Sequence, residues 1–127
     1  MFRFLELSEV EELHAESLRV YGGSAGTRDA GLVESALAAA TNTALYTEAD
    51  VFDVAAVYAF HLAEAQGFID GNKRTAIGAA LAFLVLNHAM RLPRPEDLNA
   101  IYNAMIAIAR HEMDKAGLAA LLRELFG

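Results

Sequence analysis

The segment from Val51 to Ala65 constrains the fold of this chain more than any other stretch. Apolar side chains recur along it at helical spacing, and most positions between them are apolar as well. A helix that is apolar nearly all round needs neighbours on every side. The segment therefore predicts an α-helix at the centre of the molecule. The residues that carry this pattern are Val51, Phe52, Val54, Ala55, Ala56, Tyr58, Ala59, Phe60, Leu62 and Ala65.

Five more helices are predicted around this segment from apolar periodicity and from residues that start or stop helices. Their expected ranges are about Glu9–Val20, Ala30–Thr41, Asn72–Asn87, Pro95–Arg110 and Lys115–Phe126. The expected N-caps are Ser8 in a capping box with Glu11, Asp29, Asp114, and either Thr47 or Asp50 for the central helix.

The predicted fold class is all-α, a compact bundle of about six helices that forms one domain over residues 1–127. The connections are short, and Phe2 to Leu7 is the one stretch compatible with a very short extended segment. Hydrophobic residues make up 55% of the chain and charged residues 21%, a composition typical of globular proteins. The glycine-rich stretch Tyr21–Gly26 lacks the order of a phosphate-binding P-loop, and we interpret it as a flexible connection.

Several classes of function are disfavoured. The chain has no cysteine, which excludes disulfides, thiolate nucleophiles and cysteine metal sites. A net charge of −7 argues against direct nucleic-acid binding. The first residues lack the apolar core of a signal peptide. The longest apolar run, Ala76 to Leu86, is far shorter than the roughly 20 residues of a membrane span. We therefore expect a cytoplasmic protein without membrane association.

Charged and polar residues are concentrated in Gln66–Thr75, between two segments predicted to be apolar helices. Lys73 and Arg74 fall in the first turn of the second helix, where the helix dipole disfavours cations. A bound phosphate would offset that cost, and free backbone N–H groups at a helix start bind phosphate oxygens. Asp70 is placed either to cap the helix or to coordinate Mg²⁺.

The other residues of this stretch have supporting roles. Phe68 is expected to anchor the loop by burying its ring, and Gly67 and Gly71 to adopt backbone angles that other residues avoid. Asn72 is expected either to hold the loop or to contact a ligand. The simpler alternative is a solvated loop with a capping aspartate and two surface cations.

The motif Phe68-Ile69-Asp70-Gly71-Asn72-Lys73-Arg74-Thr75 resembles the signature of the Fic/Doc superfamily, His-x-Phe-x-Asp/Glu-Ala/Gly-Asn-Lys/Gly-Arg. Its Asn-Lys-Arg ending resembles the death-on-curing (Doc) branch, whereas the Fic branch has Asn-Gly-Arg and a further downstream Arg. The early stretch from Tyr21 to Ala36, the chain length and the all-helical pattern are also similar to Doc-like proteins. The resemblance covers nearly the whole chain.

This resemblance implies an ATP- and Mg²⁺-dependent toxin of a bacterial type II toxin–antitoxin system. Fic proteins transfer AMP to a protein hydroxyl, whereas Doc-type proteins transfer the terminal phosphate, to a threonine of elongation factor Tu, and so block translation. The Asn-Lys-Arg ending favours the kinase reaction, because a lysine side chain crowds a pocket that glycine would leave open. The implied partner is an antitoxin whose disordered tail folds on binding.

Carried over by the resemblance, the catalytic positions are Gln66, Asp70, Lys73 and Arg74, with Asp70 as the Mg²⁺ ligand. The implied nucleotide-binding residues are Phe68, Gly71, Asn72, Lys73, Arg74 and Thr75.

The departure from the family pattern is Gln66, which stands where the family has a histidine as general base. An amide does not accept a proton near neutral pH, and losing a general base costs about 10²- to 10⁴-fold in rate. Three interpretations follow. Gln66 orients the hydroxyl in a working enzyme, it marks a silent relative that acts as a partner-binding module, or it is an engineered substitution.

Other titratable residues are weaker candidates. His61 lies about 140° around the helix from Gln66 and should point elsewhere. We interpret His14, His88 and His111 as surface or structural residues. Arg28-Asp29 could instead border the cleft, and Glu48, Asp50 and Asp53 read as a solvated acidic helix start.

Overall fold

Six α-helices and no strand form the computed structural model, which describes residues 1–127. The predicted all-α class is therefore confirmed. None of the helices combines the length and apolar character that a bilayer-spanning helix needs. The helices are α1 (Leu7–Tyr21), α2 (Ala30–Tyr46), α3 (Val51–Ala65), α4 (Asn72–Leu86), α5 (Pro95–Ala109) and α6 (Lys115–Phe126).

The central position predicted for α3 is confirmed. Helices α2, α4 and α6 pack most extensively against it. Every helix contributes to the one hydrophobic core of 28 buried residues. The buried positions of α3 are Phe52, Val54, Ala55, Ala56, Val57, Tyr58, Ala59 and Leu62.

Aspartates start three of the helices as expected, because a carboxylate oxygen accepts a hydrogen bond from a free N–H of the first turn. Asp29 caps α2, Asp114 caps α6, and Asp50 rather than Thr47 caps α3. The acidic start of α3 is not merely solvated, since the guanidinium of Arg123 pairs with Asp50 and Asp53 at 2.9 Å and 3.3 Å.

The start of α1 differs from the prediction. The helix begins at Leu7, and its capping box consists of Glu6 and Glu9 instead of Ser8 and Glu11. The Glu9 carboxylate accepts a hydrogen bond of 2.9 Å from the Glu6 N–H. Both boxes have the same spacing, and the earlier one adds another half turn of helix.

Residues 1–6, where the sequence allowed a very short extended segment, have no regular secondary structure, although Glu6 has extended backbone angles. Tertiary hydrogen bonds hold the segment instead. The Leu5 N–H donates to the hydroxyl oxygen of the buried Tyr58 at 3.0 Å. The Asn87 amide bonds with both backbone polar groups of Arg3, at 2.8 Å and 3.0 Å. The N-terminus is thereby tied to the middle of α3 and to the C-terminal end of α4.

Candidate functional site

A cleft of about 510 Å³ opens where the end of α3, the loop after it, the start of α4 and one face of α5 meet. This volume lies within the range of small-molecule sites. Six of the eight predicted site residues contribute to its lining: Gln66, Asp70, Gly71, Asn72, Lys73 and Arg74.

Two cations without carboxylate partners stand at the start of α4. Lys73 and Arg74 take part in none of the ion pairs of the structure. Each instead lies over an aromatic ring, with the Lys73 Nζ 5.6 Å from the Tyr102 ring centroid and the Arg74 Cζ 4.8 Å from that of Tyr21. Both cations therefore remain available to an anion in the cleft.

The N-terminus of α4 is also left open by its own sequence. Its N-cap is Gly71, and the helix has neither a side-chain cap nor a capping box. The N–H groups of its first turn consequently have no intrahelical or capping acceptor. Together with the helix dipole and the two cations, they form a site suited to phosphate oxygens.

Asp70 precedes this helix start without capping it, which rules out one of its two expected roles. Its Oδ1 accepts from the Gly71 N–H at 2.8 Å, and its Oδ2 accepts from the Ser24 N–H at 3.1 Å. The hydrogen bonds from Ser24 and Gly71, with the Arg74 guanidinium nearby, lower the pKa of Asp70. The side chain is thus held as an ionised, exposed carboxylate.

The Asp70 carboxylate fits the expected Mg²⁺ site. Mg²⁺ in nucleotide enzymes is held by one or two carboxylates together with substrate phosphates. Asp70 keeps oxygen lone pairs free and faces the same cleft as Lys73 and Arg74. Nowhere do three or more His, Cys, Asp or Glu side chains come together, so such an ion would take its other ligands from phosphate and water.

The loop between α3 and α4 is held by one amide and one buried ring. The Asn72 Oδ1 accepts from the Phe68 N–H at 3.0 Å, and the Asn72 Nδ2 donates to the Phe68 carbonyl at 2.9 Å. The Asn72 side chain thus holds the loop and leaves its backbone N–H for a ligand. Phe68 is only 3% exposed, as an anchor should be.

His14 of α1 supports the loop from below. Its imidazole stacks on the Phe68 ring with centroids 3.9 Å apart and planes 12° apart. Its Nε2 donates to the carbonyl oxygen of Asp70 at 2.7 Å. The structural role predicted for His14 is confirmed, and it fixes the backbone of the proposed metal ligand.

The two motif glycines are required for different reasons. Gly71 has a φ of +77°, as expected for a residue that needs left-handed backbone angles. Gly67 does not have positive φ, and that expectation was wrong. It is needed for space, because a Cβ there would lie 2.5 Å from Val33 Cγ2 and 3.0 Å from the Asp29 carbonyl oxygen.

The glycine-rich segment before α2 is not a simple connection, because it forms the outer support of the motif loop. The Gly26 carbonyl accepts from the Ile69 N–H at 3.1 Å, and Thr27 forms an isolated antiparallel bridge with Phe68. The Gly67 carbonyl accepts from two consecutive N–H groups, those of Arg28 and Asp29.

Gln66 ends α3 in a left-handed conformation with a φ of 48°. The Arg28 guanidinium donates to its carbonyl oxygen, at 2.9 Å from Nε and 2.6 Å from Nη2. Arg28 does not line the cleft, so the alternative that it borders the cleft is wrong. It braces Gln66 from behind, because the carbonyls at the end of α3 need donors.

Two residues expected to bind nucleotide lie outside the cleft. Phe68 and Thr75 are buried at 3% and 1% exposure, because the loop and the second turn of α4 turn those side chains toward the core. His61 also points away, as predicted, with its Nε2 3.2 Å from the Lys115 Nζ. Burial and the Lys115 ammonium lower the pKa of His61.

The opposite wall of the cleft was not predicted. It comes from one face of α5 and the turn after it, with Glu64 of α3 at the edge. The i, i+3 spacing of Tyr102 and Met105 is visible in the sequence, but no sequence signal places that face opposite the motif. The residues concerned are Glu64, Tyr102, Met105, Ile108, Ala109 and His111.

The model of the Fic/DOC family matches residues 4–84, which is most of the chain and includes the entire motif. The chain belongs to the Fic/DOC family. The resemblance found in the sequence is thereby confirmed.

Two curated Fic/DOC relatives are similar over nearly their whole length. "Protein kinase doc" of Escherichia phage P1 is 32% identical over 126 residues, which are 98% of this chain and 97% of the relative. "Toxin Doc" of Mycolicibacterium smegmatis (strain ATCC 700084 / mc(2)155) is 33% identical over 124 residues, which are 96% of this chain and 92% of the relative.

The match to the Fic/DOC model ends inside α4. The motif and its supports therefore lie within the matched region, whereas the α5 wall with Tyr102 and His111 lies beyond it. The cleft combines a family motif with a wall supplied by the C-terminal part of the chain.

Proposed function

We propose that this protein is a Doc-type toxin that transfers the terminal phosphoryl group of ATP to a protein hydroxyl. The observation that carries the proposal is the pair Lys73 and Arg74, which face the cleft at an open helix N-terminus without any carboxylate partner. The names of the two relatives, a protein kinase and a toxin, support the same conclusion.

In this proposal the residues of the cleft bind either the phosphates or the metal ion. Lys73 contributes a point charge and Arg74 a planar fork to the phosphate oxygens. The N–H groups of the first turn of α4 bind the same oxygens, and Asp70 holds Mg²⁺. When bound, the ion neutralises charge on the phosphates and helps to align them for transfer.

The transfer is a displacement at phosphorus. The target hydroxyl oxygen bonds to the γ-phosphorus while the bond from that phosphorus to the β,γ-bridging oxygen breaks and ADP leaves. Phosphoryl transfer depends chiefly on positioning and charge neutralisation. Gln66, fixed at the end of α3 by Arg28, orients the hydroxyl through its amide.

The proposed target remains the one implied by the resemblance, a threonine of elongation factor Tu, and modification of it blocks translation. The proposed partner is an antitoxin with a disordered tail that folds on binding. The proposed place of action is the cytoplasm, where ATP and elongation factor Tu occur together.

Nucleotide binding tests the first step. We expect Lys73→Ala/Arg74→Ala to weaken the binding of ATP with Mg²⁺ by at least about 100-fold, because each charged contact contributes about 1.5–3 kcal/mol. Isothermal titration is the measurement, and chelating Mg²⁺ should also weaken binding. Lys115→Ala is the matched control, since Lys115 is the other lysine of the chain and lies outside the cleft. Equal binding by wild type and double variant contradicts the proposal.

A specific observation favours a second function, a silent binding module, because Gln66 cannot act as the family's base. Mass spectrometry of elongation factor Tu after incubation with ATP and Mg²⁺ separates the alternatives. A phosphorylated threonine supports the kinase, an AMP adduct supports adenylyl transfer, and an unmodified target supports the binding module.

A further inference from the structure

His111 faces the same cleft as Gln66, although 45 positions along the chain separate them. It lies in the turn that follows α5. Its backbone N–H donates to the Ile108 carbonyl at 3.0 Å, which anchors the turn to the helix end. The side-chain hydrogen bonds of histidines in this structure belong to His14 and His61, and the imidazole of His111 is exposed to the cleft without one.

His111 has a left-handed backbone, which is uncommon among residues other than glycine. Three non-glycine residues have positive φ: Gln66 at 48°, His88 at 55° and His111 at 60°. Glycine is the residue normally favoured at such a helix end. Two of the three, Gln66 and His111, line this one cleft. Backbone strain of this kind is concentrated at functional sites.

We propose that His111 is the catalytic base of the transfer, in place of the histidine that Gln66 replaces in the motif. This inference rests on the proposed kinase function. As the hydroxyl oxygen bonds to the γ-phosphorus and ADP leaves, the hydroxyl proton passes to an imidazole nitrogen of His111. The imidazolium then releases the proton to solvent through the open side of the cleft. Gln66 orients the hydroxyl, and His111 takes its proton.

The other candidates in the cleft are less suited to this step. Both oxygens of Asp70 already accept hydrogen bonds, and these lower its pKa, which makes it a weak base. Glu64 is a carboxylate at the edge of the cleft, whereas an imidazole is the side chain most often used as a general base. His61 faces Lys115 outside the cleft.

The surroundings of His111 contain both signs of charge. The charged residues that line the cleft with it are Glu64 of α3, Asp70 of the loop, and Lys73 and Arg74 of α4, and its chain neighbours are Arg110 and Glu112. Bound phosphates add negative charge to this set.

The test is the rate of phosphoryl transfer to purified elongation factor Tu at saturating ATP and Mg²⁺. We expect His111→Gln to lower kcat by about 10²- to 10³-fold, with unchanged affinity for ATP, and to remove the acid limb of the pH–rate profile. His88→Gln is the matched control, because His88 has the same positive-φ backbone but lies outside the cleft. It should retain the wild-type rate and profile.

A double variant adds an independent readout. The Gln66→His variant restores a base at the motif position. When His111→Gln is added to it, kcat should fall by less than tenfold. Wild-type kcat in His111→Gln, or a loss of rate confined to Glu64→Gln, would overturn the role of His111 while leaving the kinase intact. A wild-type protein that binds ATP but leaves the target unmodified would overturn both proposals.

Discussion

A single methyl group distinguishes two glycines that the sequence alone does not separate. At Gly67 an added Cβ would lie 2.5 Å from Val33 Cγ2 and 3.0 Å from the carbonyl of Asp29. At Gly78, in the middle of α4, it would meet only the Leu13 Cδ2, at 4.0 Å. Close packing requires glycine at position 67. Gly78 lowers the stability of its helix, and no neighbouring atom requires glycine there.

We therefore expect Gly67→Ala to destabilise the protein by about 1–3 kcal/mol, the usual cost of overpacking. Gly78→Ala should stabilise it by about 0.5–1 kcal/mol, because alanine favours a helix interior. Urea unfolding of both variants provides the measurement. Equal stabilities would contradict the contact of Gly67 with the start of α2.

For individual residues, the sequence predicts which motif residues reach the cleft, but it does not predict which residues from other helices lie beside them. The cleft positions of Asp70, Lys73 and Arg74 follow from their place at a helix start. Thr75, one position further, turns into the core, because burial depends on which face of α4 meets its neighbours. His111 had no local signal at all, since its relation to Gln66 exists only after α5 has packed.

At the scale of elements, α1 and the motif loop are joined through one side chain. His14 makes a stack with Phe68 and a hydrogen bond to the Asp70 carbonyl. The two contacts can be separated, because phenylalanine preserves a stacking ring and removes the donor. Alanine removes both.

We expect His14→Phe to cost about 1–3 kcal/mol of stability, since a partly buried carbonyl loses its donor. It should also weaken ATP binding, because the backbone of Asp70 is released. His14→Ala should be still less stable, owing to the lost ring. Thermal unfolding together with ATP titration measures both effects. A His14→Phe protein with wild-type stability would show that the hydrogen bond contributes nothing.

Most helices could be predicted from the sequence, and the errors concern only where α1 begins and where α2 ends. Asp29, Asp50 and Asp114 mark helix starts because their caps depend on nearby backbone only. The predicted end of α2 at Thr41 came too early. In the structure the hydroxyls of Thr41 and Thr43 donate to carbonyls one turn earlier, and the helix continues to Tyr46.

For the whole molecule, a buried acid ties the end of the chain to α5. Asp97, with its side chain only 1% exposed, accepts hydrogen bonds from the Arg91 Nη1 at 2.7 Å and the Arg94 N–H at 2.8 Å. Arg91 in turn donates to the Leu125 carbonyl of α6 at 3.1 Å. The Arg91 guanidinium and the Arg94 N–H hold the pKa of Asp97 well below its usual range.

This arrangement predicts a loss of stability in acid. The folded protein holds the pKa of Asp97 below its value in the unfolded chain, which is near 4. The stability contributed by the ionised Asp97 is therefore fully present above pH 4. It falls as the pH drops from about 4 toward the lower folded pKa. Urea unfolding between pH 3 and 7 measures it.

Asp97→Asn should be less stable than wild type at pH 7 and should lose less stability on acidification. Glu11→Gln is the control, since Glu11 is an exposed carboxylate of α1. An acid dependence identical in Asp97→Asn and wild type would contradict the assignment.

The rings beneath Lys73 and Arg74 have an optical consequence. The chain contains four tyrosines and no tryptophan, so its ultraviolet emission comes from tyrosine. Tyr102 and Tyr21 each lie under one of the two motif cations. When a phosphate draws those cations away, the surroundings of half the fluorophores change together. The protein thus carries its own reporter for the occupancy of its anion site, and no dye or label is needed.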